Sequence, residues 1–184
     1  MGTRGRSSIP PEGAAAAVAE TGFGWVCAVA RNGRLVAVSL PAESREAALA
    51  SCVERGEVGR PEALLEEVIG DLLRYFAGER VDLGRHPVDL SEHPPFRRRA
   101  LLAAREIPYG EVRPYAWVAA GAGKPGAARA AGQAMARNPL PLVVPCHRVV
   151  GSGGGLGGFG GGLDMKRRLL ELEGIAGWRA GGCG

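Results

Sequence analysis

A chain of 184 residues, 46% of them hydrophobic and 23% charged, can bury a core as one medium domain or two small ones. No apolar run reaches the length of a membrane span, and no apolar stretch follows Arg4 and Arg6 before Glu12, so the expectation is a cytoplasmic protein without a signal or anchor. The net charge of +4 is unevenly held: residues 1–94 carry −4 and residues 95–184 carry +8, which points to a polyanion such as nucleic acid for the second half, with chance surface charge as the plainer account.

In chain order, residues 1–20 are small, polar and Ala-rich, and the expectation is a flexible leader. Gly24–Ala30 and Leu35–Leu40 are apolar β-type runs joined through Asn32-Gly33, a strong hairpin signal. Ser44 to Arg55 predicts a helix with Ser44 as N-cap and Gly56 as stop. Pro61 to Phe76 predicts another, with Leu64, Leu65, Val68, Leu72 and Phe76 at helical spacing. Residues 79–95 are a connecting segment.

The second half reads as short helices broken by Gly and Pro. Helices are predicted over Pro95–Glu106, from Tyr115 to Ala120, from about Pro125 to Arg137, and from Leu163 to Leu172. Those on either side of Gly121–Lys124 form a helix-turn-helix pattern. The later of the two is nearly all small residues with Arg129 projecting, which suits close approach to another surface or tight internal packing. Leu142-Val143-Val144 is predicted as a short extended run, and residues 151–162 as a glycine-rich loop. The expected class is α/β (α+β): an N-terminal domain of sheet and helices over 21–94, then a mostly helical domain over 95–184.

The chemistry centres on Cys146. The four cysteines (Cys27, Cys52, Cys146, Cys183) form no C-x-x-C pair, which argues against a disulfide framework and a cysteine-rich zinc site. Cys146 lies between Pro145 and His147, and a thiol becomes a strong nucleophile only as thiolate, with a base or positive field nearby. His147 and Arg148 are candidates for both, and Glu173 for orienting the histidine; inert packing is the competing account of such a cysteine. Gly153–Gly158 formally matches G-x-G-x-x-G, but so glycine-rich a loop matches by chance and lacks the strand–turn–helix context of a dinucleotide site.

Several stretches, in order, resemble the O6-alkylguanine-DNA alkyltransferases. They are Ile107–Val112, Ala127–Ala130, Asn138-Pro139-Leu140-Pro141, Val144–Val150 around Pro145-Cys146-His147-Arg148, and Gly161-Gly162-Leu163 with Lys166 and Glu173-Gly174. The resemblance covers residues 95–174; before that it is one of outline only. It implies direct, irreversible transfer of an alkyl group from O6-alkylguanine, or O4-alkylthymine, to Cys146, after the base flips out through the minor groove of double-stranded DNA. His147 is implied as base through a water, held by Glu173; Asn138 as a brace for the turn ahead of Cys146; Tyr115 as a group that rotates the nucleotide and hydrogen-bonds the guanine. Arg129 is implied to fill the gap left by the base, with Ala128, Ala130, Gly132 and Ser152 also on DNA, and Met135, Pro141, Val149, Phe159 and Gly160 around the substrate. The resemblance implies a monomer with no cofactor and no metal; Cys27 and Cys52 fall differently from the zinc ligands of some members.

Four positions depart from the family pattern and bear on pocket fit: Pro114, Gly158, Phe159 and Gly160. Arg97-Arg98-Arg99 replaces a more neutral helix start and reads chiefly as a solvated face. The alternative function is a non-enzymatic alkylguanine-damage-binding protein, against which the presence of Cys146 argues; a Cys-His hydrolase has no further support in the sequence.

Overall fold

The computed structural model describes residues 13–53, 59 and 62–176. These form two compact units. One holds the described residues up to Leu90 together with Pro139–Val143; the other holds Ser91–Asn138 and the described residues from Val144 onward.

The first unit is built on an antiparallel sheet in the order β1 (Ala14–Thr21), β2 (Gly24–Arg31), β3 (Arg34–Val38). The predicted hairpin is present. Asn32 and Gly33 have φ of 53° and 70°, the two positive values that a type I′ turn requires. In the central strand every residue from Val26 to Ala30 is buried, the continuous pattern of a strand covered on both faces. At the start of β2, Trp25 exchanges two 2.8 Å backbone bonds with Ala42; a Cβ on Gly24 would lie 2.6 Å from Ala42 O, so only glycine allows this approach.

The flexible leader expected over 1–20 is corrected here. Ala14–Thr21 pairs along its whole length with β2, and Ala14 and Ala15 are buried, so neighbouring strands override the weak β-propensity of alanine. The rest of that expectation, residues 1–12, lies outside the described residues.

Helix α1 (Arg45–Ala50) has the predicted cap: Ser44 Oγ accepts from Ala47 N at 3.1 Å. It is shorter than expected, because Ser51 Oγ turns back to Ala48 O and Cys52 N tightens onto Leu49 O; Arg55 and Gly56 are outside the described residues. Helix α2 (Ala63–Phe76) buries Leu65, Val68 and Leu72 completely, as their spacing predicted; Pro61 is outside the described residues. The connecting segment is fastened by Asp71 of α2, which accepts from Arg85 Nη2 at 2.7 Å and meets His86 Nε2 at 2.9 Å.

The second unit contains α3 (Pro95–Arg105), β4 (Arg113–Pro114), α4 (Tyr115–Gly121), α5 (Ala128–Ala136), β5 (Val149–Val150) and α6 (Leu163–Leu172). Ala100, Leu101, Ala104, Val118, Ala119 and Ala131 are all 0% exposed, so small and aliphatic side chains let α3, α4 and α5 pack closely. Helix α5 starts at Ala128 rather than near Pro125, because Gly126 takes a φ of +86° and Lys124–Ala127 closes a turn. A short parallel pairing, Arg113 with Val149 and Pro114 with Val150, joins β4 to β5.

The extended run predicted over Leu142–Val144 does not form. Leu142 has a φ of +74°, which no strand tolerates, and Pro139–Val143 packs with the first unit, where Val38 N bonds Pro139 O at 2.9 Å and Leu140 is 0% exposed. The domain expected over 95–184 is therefore interrupted at these five residues. No helix among the described residues is long and apolar enough to cross a membrane.

Candidate active site

Cys146 opens a tight 3-10 turn, Cys146–Arg148, in the second unit. Pro145 has φ −77° and ψ 65°, the values of an inverse γ-turn, and Cys146 N bonds Val144 O at 2.7 Å across it. Arg148 N then bonds Pro145 O at 2.9 Å. Two successive tight turns throw consecutive side chains in different directions, so Cys146 and His147 are neighbours in sequence with separate surroundings.

The sulfur is 3.1 Å from Asn138 Nδ2, which also donates to Val144 O at 2.8 Å. One buried amide thus fixes the turn and presents an N–H to Sγ, a contact that strengthens when the sulfur carries negative charge. Cys146 is 5% exposed.

His147 is 1% exposed, with Nε2 2.8 Å from Glu173 Oε1. Glu173 caps the C-terminal end of α6, and its side chain is fully buried. Arg148 grips the same carboxylate through Nε at 2.8 Å and Nη2 at 2.9 Å, and Gly110 N adds a bond of 3.2 Å. Burial alone would raise the Glu173 carboxyl, but His147 and Arg148 outweigh it and hold the group at about 2. An ionised carboxylate only accepts, so His147 Nε2 carries the proton and Nδ1 is the basic nitrogen. Burial lowers the His147 pKa, against the pull of Glu173 and with help from Arg148 and Lys166, so the ring is a neutral base at neutral pH.

Arg148 is itself anchored by a 2.7 Å bond from Nη1 to Ile107 O and lies 5.7 Å from the Tyr109 ring centre. The motif marked Arg148 as a source of positive field; that it is the second clamp on Glu173 could be seen only once the chain had folded.

A cavity of about 720 Å³ lies between α4, α5 and the glycine-rich loop, and Cys146 is not among the residues that line it. Of the expected residues it is lined by Tyr115, Ala128, Arg129, Gly132, Ser152, Phe159 and Gly160, joined by Gln133 and Gly158. Arg129, Gln133 and Ala136 form the exposed side of α5, while Ala131, Ala134 and Met135 face inward. Tyr115 donates its hydroxyl to Gly158 O at 3.1 Å; burial, with Cys146 adding to it, raises this phenol to about 12. The expected pocket residues Met135 and Val149 are buried and do not line the cavity. Pro141 lies in the stretch that packs with the first unit. Ala130 is half-buried on α5 and is not part of the cavity wall.

Comparison with known proteins gives the site a context. The family model of the 6-O-methylguanine DNA methyltransferase DNA-binding domain matches residues 95–175. A methylated-DNA–protein-cysteine methyltransferase of Mycobacterium leprae is 49% identical over 107 residues, covering 58% of this chain and 64% of that protein. One of Methanosarcina acetivorans is 46% identical over 114 residues, covering 61% and 71%. Among solved structures, Mycobacterium tuberculosis OGT in complex with DNA matches with a TM-score of 0.70 and 34% identity, over 86% of this chain and 91% of that one.

Proposed function

The chain belongs to the methylated-DNA–protein-cysteine methyltransferase family, and on that premise we propose that it repairs DNA by moving the alkyl group of O6-alkylguanine, or of O4-alkylthymine, onto Cys146. The observation that carries this reading is the buried Cys146 thiol, held at 3.1 Å by Asn138 and adjacent in sequence to a neutral histidine whose far nitrogen is fixed by Glu173.

In this reading the thiol proton passes to His147 Nδ1 through an intervening water. Glu173, kept ionised by Arg148, then stabilises the imidazolium. The sulfur attacks the alkyl carbon, the S–C bond forms and the C–O6 bond breaks. The departing guanine takes a proton from the Tyr115 hydroxyl, which lines the cavity. A thioether is a poor leaving group, so each molecule acts once.

Double-stranded DNA carrying the lesion is the partner, and the chain acts as a monomer. The exposed Arg129 on the small-residue helix α5 enters where the base has left the stack, with Ala128, Gly132 and Ser152 beside it. A cavity of this size suits a flipped nucleobase. We read the chain as cytoplasmic, where a reducing environment keeps the Cys146 thiol that this reaction needs.

The test is intact mass measurement after incubation with duplex DNA containing O6-methylguanine. One added methyl group per chain is expected, absent in Cys146→Ser. Tight lesion binding without any adduct would overturn the transfer reading in favour of a damage-binding protein.

A further inference from the structure

Five residues of α5 line the cavity, and only two of them, Arg129 and Gln133, have polar side chains; the others are Ala128, Gly132 and Ala136. Arg129 has a part in the proposed reaction, and Gln133 has none. The Gln133 side chain is exposed and, among the described residues, makes no hydrogen bond within the protein. Its amide holds two donor hydrogens and an acceptor oxygen, whereas the Arg129 guanidinium only donates.

Helix geometry says where that amide goes. Gln133 lies about 6 Å along the axis from Arg129 and about 40° round from it, so the two share a face. A Cβ on Gly132 would lie 3.8 Å from the Tyr115 ring, which marks the side of α5 that turns towards Tyr115. Gln133 is about 100° round from that side, at the edge of the wall. DNA is the partner that fits this face: residues 95–175 match a DNA-binding domain, and residues 95–184 carry +8. With Arg129 where the base has left the stack, Gln133 meets a base pair within about two steps of the lesion, since pairs stack about 3.4 Å apart. It does so on one side of the lesion only. In the minor groove an A·T pair shows only the acceptors adenine N3 and thymine O2, and a G·C pair adds the guanine N2 amino donor. The Gln133 amide matches guanine, with Nε2 donating to N3 and Oε1 accepting from the N2 amino group. Beside an A·T pair Oε1 gives up water and gains no donor.

We propose that Gln133 is a specificity-determining residue: it reads, through the minor groove, a guanine beside the damaged nucleotide, so that lesions flanked by G·C pairs are bound more tightly than lesions flanked by A·T pairs. The proposal rests on the reading of α5 as the helix that lies in the minor groove at the lesion.

The experiment measures binding of the full chain to O6-methylguanine duplexes at fixed salt, with Cys146→Ser in every protein so that the lesion is not consumed. The two pairs on one side of the lesion are G·C, A·T or inosine·C, and then the two on the other side. Inosine lacks the N2 amino group and leaves the major-groove edge of the pair unchanged. With Gln133 present, G·C is preferred over A·T by about fivefold or more, on one side only, and inosine·C behaves as A·T does. With Gln133→Ala added, the contexts fall within about twofold of one another. The side chain is exposed and unbonded, so the melting temperature stays the same. A flat response to context with Gln133 present overturns the proposal, as does an A·T preference, an equal preference on both sides or one that survives inosine. Equal weakening in all contexts by Gln133→Ala, with the preference kept, overturns it too, because such a side chain touches the backbone and not the bases. A large fall in melting temperature also overturns it, since Gln133 would then be a packing residue. A protein with Cys146 intact that binds these duplexes and takes up no methyl group sinks the alkyl-transfer reading instead, and leaves the context preference to be judged by itself.

Discussion

The fully buried carboxylate of Glu173 sets the acid behaviour of the site. Its pKa falls from an ordinary 4.5 to about 2 in the folded protein, so its contribution is complete above the unfolded value and is lost as pH falls from about 4.5 to about 2. A shift of that size corresponds to roughly 3 kcal/mol. His147, whose pKa is lowered by burial, works in the same direction, since the unfolded chain binds its proton first, starting below 6.5. Urea denaturation across a pH series therefore shows stability falling on acidification, and Glu173→Gln flattens the lower part of the curve. At neutral pH that variant leaves Arg148 buried without its partner and loses about 3–5 kcal/mol. Asn138→Ala strands the buried Val144 carbonyl and removes the N–H facing the sulfur. It costs about 1–3 kcal/mol in denaturation and slows Cys146 modification by iodoacetamide.

At the scale of elements, α5 separates the surface side chain from the packing ones. Arg129 is exposed, so Arg129→Ala leaves the melting temperature unchanged while slowing methyl transfer from duplex DNA; a large drop in stability would remove Arg129 from the DNA-facing role. Gly157→Ala acts the other way, since a side chain there meets a positive φ and the Tyr115 ring. It costs about 1–3 kcal/mol of strain and lowers transfer by displacing Tyr115.

The legible elements were those with local signals. Asn32-Gly33 encodes the hairpin, Ser44 caps α1, and the spacing of Leu65, Val68 and Leu72 makes α2. Strand β1 was not legible, because Ala14–Ala17 become a strand only through pairing with β2. In the site, the Pro145-Cys146-His147-Arg148 run and Glu173 were visible as residue types. The turn at Pro145, the double grip of Arg148 on Glu173 and the burial of Lys166 depend on backbone geometry and distant partners that no spacing displays.

At the scale of the whole molecule, the proposed function and the charge of +8 over residues 95–184 together predict a DNA affinity that depends strongly on salt. Each phosphate neutralised contributes a slope of about −0.9 in log K against log salt, and the expected outcome of a binding titration is a slope of several such units. A slope near zero would mean that these charges do not meet the backbone. A fragment of residues 91–184 does not reproduce the second unit cleanly, because Leu140, Leu142 and Val143, almost wholly buried in the full chain, are cut from the unit they pack with. Dye binding to exposed apolar surface, higher in the fragment than in the full chain, checks this.

The same five residues also impose an order on biosynthesis. The sheet unit holds nearly all of its sequence by Leu90, yet Pro139–Val143, including the carbonyl that receives Val38 N, comes later. At ordinary translation rates that delay lasts about 3 to 10 s. During it the nascent sheet waits with an unfinished margin while Ser91–Asn138 of the helical unit is being synthesised, so a unit nearly all made by Leu90 cannot be completed until Val143 has been added.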